Sequence, residues 1–206
     1  MISKGRCNLR AYIEDIGEYL THLLCMYPNL LDDWMQDKEK EHRCIAKESS
    51  NGDVEVEASI FQSLSHRYDC FMETEVFFYD AMFIMVYSYY ESVLTKLAKK
   101  YDCCKNWPSC ICERNNIKLS DKAHICTDFL FNKIEILRNQ ICHNFLGTIG
   151  AKKKTDKQVV KKLFEEYPDA IRYDDNSVHI LKGEFISEVL EKEKFVLNEL
   201  INKLNL

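Results

Sequence analysis

An arginine, an amide and a histidine fall within one short run, Arg138-Asn139-Gln140-Ile141-Cys142-His143. An imidazole that titrates near neutrality can take a proton from a hydroxyl or return one to a leaving oxygen. A guanidinium can hold two phosphate oxygens at once and offset the charge that grows as phosphorus becomes five-coordinate. Together they suit cleavage of a phosphodiester. RNA brings its own nucleophile, the ribose 2′-hydroxyl, so the chemistry needs neither a metal nor another cofactor. The products expected are a 2′,3′-cyclic phosphate and a 5′-hydroxyl.

Helical geometry divides the run. Asn139 and His143, four residues apart, share a face, whereas Arg138 stands about 140° and about 7.5 Å from His143. Two copies of the helix meeting about a two-fold axis would bring the arginine of one to the histidine of the other, so a homodimer with a composite cleft is the natural arrangement. Glu91, the only acid in the second half of a long apolar segment, is the auxiliary candidate. It could orient His143, pair with Arg138, or stay solvated. The competing structural reading makes Arg138 and His143 ordinary cations at a helix C-terminus, where the dipole favours them.

The elements that must position these groups are helices. Only 3 Pro and 6 Gly occur in 206 residues, too few breakers for a sheet-rich fold. Leu9, Ile13, Ile16, Leu20 and Leu23/Leu24 recur at helical spacing, and Pro28 is expected to end that helix. A second, charged helix is expected over Leu30 to Ala46, a turn at Glu48 to Asp53, and a further helix from Val54 to Leu64. Tyr68 to Tyr101 reads as a central helix buried on most of its circumference. Asp102 to Leu119 reads as a loop. Ser120 is a natural N-cap for a helix running through Ile125, Phe129, Leu130, Ile134, Leu137, Ile141 and Phe145 to near Gly147, and the chemical run lies near its end. A short helix over Lys157 to Tyr167, a hairpin over Ala170 to Leu181 and a final amphipathic helix over Phe185 to Leu204 complete an all-α bundle with one small β-hairpin. Residues 1–53 form an N-terminal helical extension and 54–206 the main domain.

Net charge is −5, but its distribution is uneven. Residues 96–163 carry 15 Lys and Arg against 6 Asp and Glu, while 1–75 carry 8 against 15. The basic third surrounds the chemical run, and Lys99, Lys100, Lys152, Lys153 and Lys154 are its expected RNA contacts; a solvated charged face is the plain alternative. No stretch combines a charged head, an apolar centre and a cleavage site, and the most apolar segment, Val76 to Leu94, contains Asp80, Ser88 and Glu91. A cytoplasmic protein without a membrane span is expected.

Ten cysteines in such a setting are expected to be free thiols. Cys103, Cys104, Cys110 and Cys112 cluster, but Cys-Cys and Cys-x-Cys are not the usual pairs of a zinc knuckle. Ser63, Ser65, His66 and Asp69 lack the strand-turn-helix setting of a hydrolase nucleophile. His42 with Glu39 and Glu41, like His22 and His124, lacks a second ligand pair, and there is no phosphate-binding glycine loop.

A long aromatic central helix ending Tyr89-Tyr90-Glu91-Ser92-Val93-Leu94, a loop, a helix with Arg138-Asn139-x-x-x-His143, a hairpin and a closing helix together resemble the HEPN superfamily over about residues 70 to 206. That resemblance implies a helical bundle that usually dimerises and, in catalytic members, a metal-independent endoribonuclease. It implies catalytic roles for His143 and Arg138 and a positioning role for Asn139. Such members serve as toxins in toxin–antitoxin or phage-defence systems, often beside a nucleotidyltransferase antitoxin. The alternative function is a non-catalytic helical module that binds RNA or nucleotide, or assembles a defence complex. The N-terminal extension and the cysteine-rich segment depart from the family pattern.

Overall fold

A computed structural model describes residues 9–66, 69–103, 107–145, 154–173 and 177–206. Its elements in chain order are α1 (Leu9–Ser49), α2 (Val54–Ser65), α3 (Asp69–Lys100), α4 (Pro108–Asn115), α5 (Asp121–Phe129), a π-helical turn (Leu130–Ile134), α6 (Glu135–Phe145), α7 (Lys154–Glu166), β1 (Ile171–Tyr173), β2 (Val178–Ile180) and α8 (Gly183–Lys203). The fold is all-α, with one antiparallel hairpin before the last helix.

The core forms where α3 meets α8, α6 and the first half of α1. Phe83, Val86, Tyr87, Tyr90, Val93, Leu94 and Leu97 of α3 are buried against Phe185, Ile186, Val189, Leu190, Val196, Leu197 and Leu200 of α8 and their neighbours. From α1 come Ile13, Leu20 and Leu24, and the Tyr89 hydroxyl donates to the Ile13 carbonyl at 3.1 Å. The second half of α1 packs instead against α2, whose N-cap Asp53 accepts from the Glu55 and Val56 amides. Between residues 75 and 90 of α3 the exposed residues, Phe77, Ala81, Met85 and Ser88, lie three or four apart and so form a single stripe.

Three expectations are corrected here. Pro28 does not break the first helix: α1 runs through it for 41 residues. Proline removes one i→i−4 bond and crowds the preceding turn, and at this point the Asn29 side-chain amide reaches back to the Cys25 carbonyl at 3.2 Å, supplying a donor beside the gap. The 102–119 segment is not all loop, because α4 forms within it. Pro108 stands at its first turn, where a missing N–H is harmless, Ile111 and Cys112 are buried, and Asn116 ends it in the left-handed conformation. Ile125 is not a core residue but is 70% exposed, and Ala123 and Cys126 take the inner positions.

The expected cap at Ser120 is present: its hydroxyl accepts from the Ala123 amide at 3.3 Å and donates to Glu199 of α8 at 2.6 Å. Beyond it, the buried residues Cys126, Leu130 and Ile134 follow at four-residue steps. On an α-helix each such step drifts by about 40°, and the wider π turn over 130–134 absorbs the drift and keeps Leu137 and Ile141 facing inward. The π turn therefore sets the rotation at which α6 presents Arg138 and His143. The helix is described to Phe145, so its expected end near Gly147 lies outside the described residues.

The hairpin pairs Ile171 with Ile180, Arg172 with His179 and Tyr173 with Val178. Asp80, fully buried on α3, fastens it by accepting from the Ile180 amide at 2.8 Å and meeting His179 Nδ1 at 2.7 Å. A second buried acid has no such partner. Glu193 occupies a core position of α8, 0% exposed, and neither carboxylate oxygen has a hydrogen-bond partner. Burial first, and then the nearby Glu91 carboxylate, push its pKa well above the ordinary carboxyl value.

Between the unfolded and the higher folded value, native Glu193 holds a proton that the unfolded chain has lost, so stability falls as pH rises. Urea unfolding is expected to show stability declining as pH rises above the ordinary carboxyl range, by at most about 1.4 kcal/mol per pH unit. Glu193→Gln is expected to flatten that decline. An equally steep decline in the variant would contradict a neutral Glu193.

Candidate active site

Arg138 lies three residues into the regular turns of α6 and faces α3. Its Nη2 donates to Glu91 Oε2 in a close ion pair, and its Nη1 donates to Asn139 Oδ1 at 2.8 Å. Its guanidinium carbon sits 5.1 Å from the centre of the Tyr87 ring. Tyr87 and Glu91 are four residues apart on α3, one turn above the other, so the helix offers an aromatic face and a carboxylate to one cation. The Arg138 side chain is 21% exposed and that of Glu91 33%. Arg138 Nε is buried and has no hydrogen-bond partner, so the cluster does not satisfy all of this cation's donors.

Of the alternatives open for Glu91, the structure selects the pairing with Arg138. It also adds two residues that the sequence did not mark, Tyr87 and Glu135. Glu135 precedes Arg138 by three residues and Asn139 by four, and so borders the same cluster. Burial, then repulsion from Glu91, raise the pKa of its carboxyl, while Arg138 and the Tyr87 hydroxyl pull the other way. Burial also drives the Tyr87 hydroxyl far up, with the Glu135 and Glu91 charges adding to it, so it stays protonated. The i, i+3 and i, i+4 spacings were visible in the sequence. Which helix would face which was not.

His143, one turn beyond Asn139, is exposed on the last described turns of α6. An exposed base can meet a large polymer, and the partly buried Arg138 guanidinium on the same helix can offer charge without being fully solvated. Of the expected RNA-contacting lysines, Lys99 and Lys100 are exposed at the end of α3, about 12 Å along the axis from Glu91. Lys152 and Lys153 lie outside the described residues, and Lys154 is described only as the first residue of α7.

Among the described residues, no group of three or more His, Cys, Asp or Glu side chains is arranged to hold a metal ion. Cys112 is a free thiol that burial pushes up to about 11; Cys104 lies outside the described residues. No described helix is long and apolar enough to cross a membrane. No family model, curated protein or solved structure matches the chain.

The Glu91 charge raises the Glu135 pKa both directly and by engaging Arg138. In carboxyl-resolved NMR titrations, Glu91→Gln is expected to lower the Glu135 midpoint. A midpoint that stays or rises would show that the two acids do not share this cation.

Proposed function

We propose that the chain is a metal-independent endoribonuclease of the HEPN type, acting as a toxin or anti-phage effector, with His143, Arg138 and Asn139 as its catalytic set and Glu91 as an auxiliary. The observation that carries this reading is the pairing of a partly buried, oriented Arg138 with an exposed His143 on the same helix. His143 takes the proton of the 2′-hydroxyl as that oxygen bonds to phosphorus. The bond from phosphorus to the 5′-oxygen breaks, and the leaving oxygen takes a proton from water or from the imidazolium. Arg138 offsets the charge on the five-coordinate phosphorus, while Asn139 and Glu91 keep its guanidinium oriented. A phosphate then competes with Glu91 for Nη2.

A homodimer with a composite cleft belongs to this reading, and so do RNA contacts from the basic third of the chain and a nucleotidyltransferase-type antitoxin as partner. The exposed α3 stripe supports the dimer: Phe77 is 50% and Met85 45% exposed on the helix that also carries Glu91. One observation favours the second reading, a non-catalytic module that binds RNA or nucleotide or assembles a defence complex. Both terminal nitrogens of Arg138 already have protein partners.

RNA incubated with the protein in EDTA is expected to yield 2′,3′-cyclic phosphate and 5′-hydroxyl ends. His143→Ala and Arg138→Ala are each expected to lower the rate by about 10²- to 10⁴-fold while the oligomeric state, read by light scattering, persists. Undiminished cleavage in both variants would overturn the assignment, and RNA binding without cleavage by the wild type would favour the module.

A further inference from the structure

A groove of about 260 Å³ opens beside Glu135, lined by Trp107, His124, Thr127, Asp128, Phe131 and Asn132 among others. Its floor and wall come from four elements. Trp107 is the residue before α4, fixed there by Pro108 and by the Phe131 ring at 5.7 Å, and it remains 47% exposed. Phe131 and Asn132 belong to the π turn, an irregularity found often at functional sites. Its other polar groups are His124, Thr127 and Asp128 of α5, Ser109 of α4 and Glu135 of α6.

Its chemistry is selective. Asp128 and Glu135 make the groove acidic, so it repels phosphate and suits the uncharged part of a nucleotide. An exposed indole packed against a second ring is a platform on which a flat heterocycle can stack. The volume lies below the roughly 300–1,000 Å³ of sites for larger ligands and fits a single base. Asn132 donates its amide N–H to Asp128 Oδ1, which leaves Asp128 Oδ2 and Asn132 Oδ1 as acceptors. The Thr127 hydroxyl is buried with no hydrogen-bond partner and can donate. Two acceptors and one donor complement guanine, whose pairing edge carries two donor groups, N1–H and the N2 amine, beside the O6 acceptor. Adenine, cytosine and uracil each place no more than one donor group there.

We infer that this groove is a guanine-binding subsite, formed by Trp107, Thr127, Asp128 and Asn132, which selects the nucleotide beside the bond to be cut. This rests on the ribonuclease reading for its purpose but not for its chemistry. Glu135 links the two regions, because it lines the groove and lies about 4.5 Å along the helix axis from Arg138. That separation is short enough for one nucleotide to place its base in the groove and its phosphate at the arginine.

The chain has 2 tryptophans, so Trp34→Phe leaves Trp107 as the only indole. Titrating that variant with GMP, AMP, CMP and UMP is expected to quench Trp107 fluorescence saturably with GMP, at least about tenfold more tightly than with the others. Asp128→Ala, checked for retained helicity, is expected to remove the preference. Equal quenching by all four, or none by GMP at millimolar concentration, would overturn the subsite. Mapping cut sites on an RNA of mixed sequence separates the two claims. GMP-selective quenching with intact RNA refutes the nuclease and leaves the subsite standing, whereas cleavage without guanine bias refutes the subsite and leaves the nuclease standing.

Discussion

A guanidinium set between two packed helices is the constraint around which the α3–α6 junction is arranged. A guanidinium is charged in any folded protein, so the residues around Arg138 must supply a counter-charge, an acceptor and a polarizable face. Glu91, Asn139 and the Tyr87 ring supply these three. The arrangement is incomplete, because Nε is buried without an acceptor and Glu135 adds a second carboxyl whose ionisation is disfavoured. A partly buried ion pair of this kind is weak evidence of stabilisation, since apolar side chains of similar size can serve as well.

The same tension runs inward from the site. Glu193 is fully buried with both oxygens unpartnered, and the buried Tyr90 hydroxyl is unpartnered as well. Their mutual influence, with Glu91 acting on Glu193 and Glu193 on Tyr87 and Tyr90, makes one electrostatic unit from the core to the surface. The unit favours the neutral forms of Glu193, Tyr87 and Tyr90. Asp80 shows the contrasting solution: a carboxylate equally buried, but satisfied by a backbone amide and His179, which anchors the hairpin.

Elements governed by local rules were legible in the sequence. The Ser120 cap, the uninterrupted aromatic period of α3 and the alternation of Ile171-Arg172-Tyr173 with Val178-His179-Ile180 each follow from chemistry within a few residues. Features that depend on compensation or on partners were not. Pro28 is a breaker by rule, yet α1 continues through it, with the Asn29 side chain bonded to the Cys25 carbonyl beside the gap. The eight residues of α4 hold too few apolar side chains to show a period, though Pro108 at its start was a usable sign. Ile125 looked like core because a regular 3.6-residue helix was assumed where a π turn intervenes.

The candidate site was legible in the same proportion. Arg138, Asn139, His143 and Glu91 stood out by residue type, whereas Tyr87 and Glu135 required knowing that α3 and α6 face each other. Glu193 could have been found as the single acid within the apolar stripe of α8 formed by Ile186, Val189, Leu190, Val196, Leu197 and Leu200. The central claim is that the Arg138–Glu91 pair is maintained for phosphate chemistry rather than to hold the fold. Its most direct test measures urea unfolding and RNA cleavage together in the double variant Glu91→Leu, Arg138→Met. The account predicts a protein at least as stable as the parent and inactive on RNA. A double variant destabilised by about 3 kcal/mol or more that still cleaves RNA would contradict it.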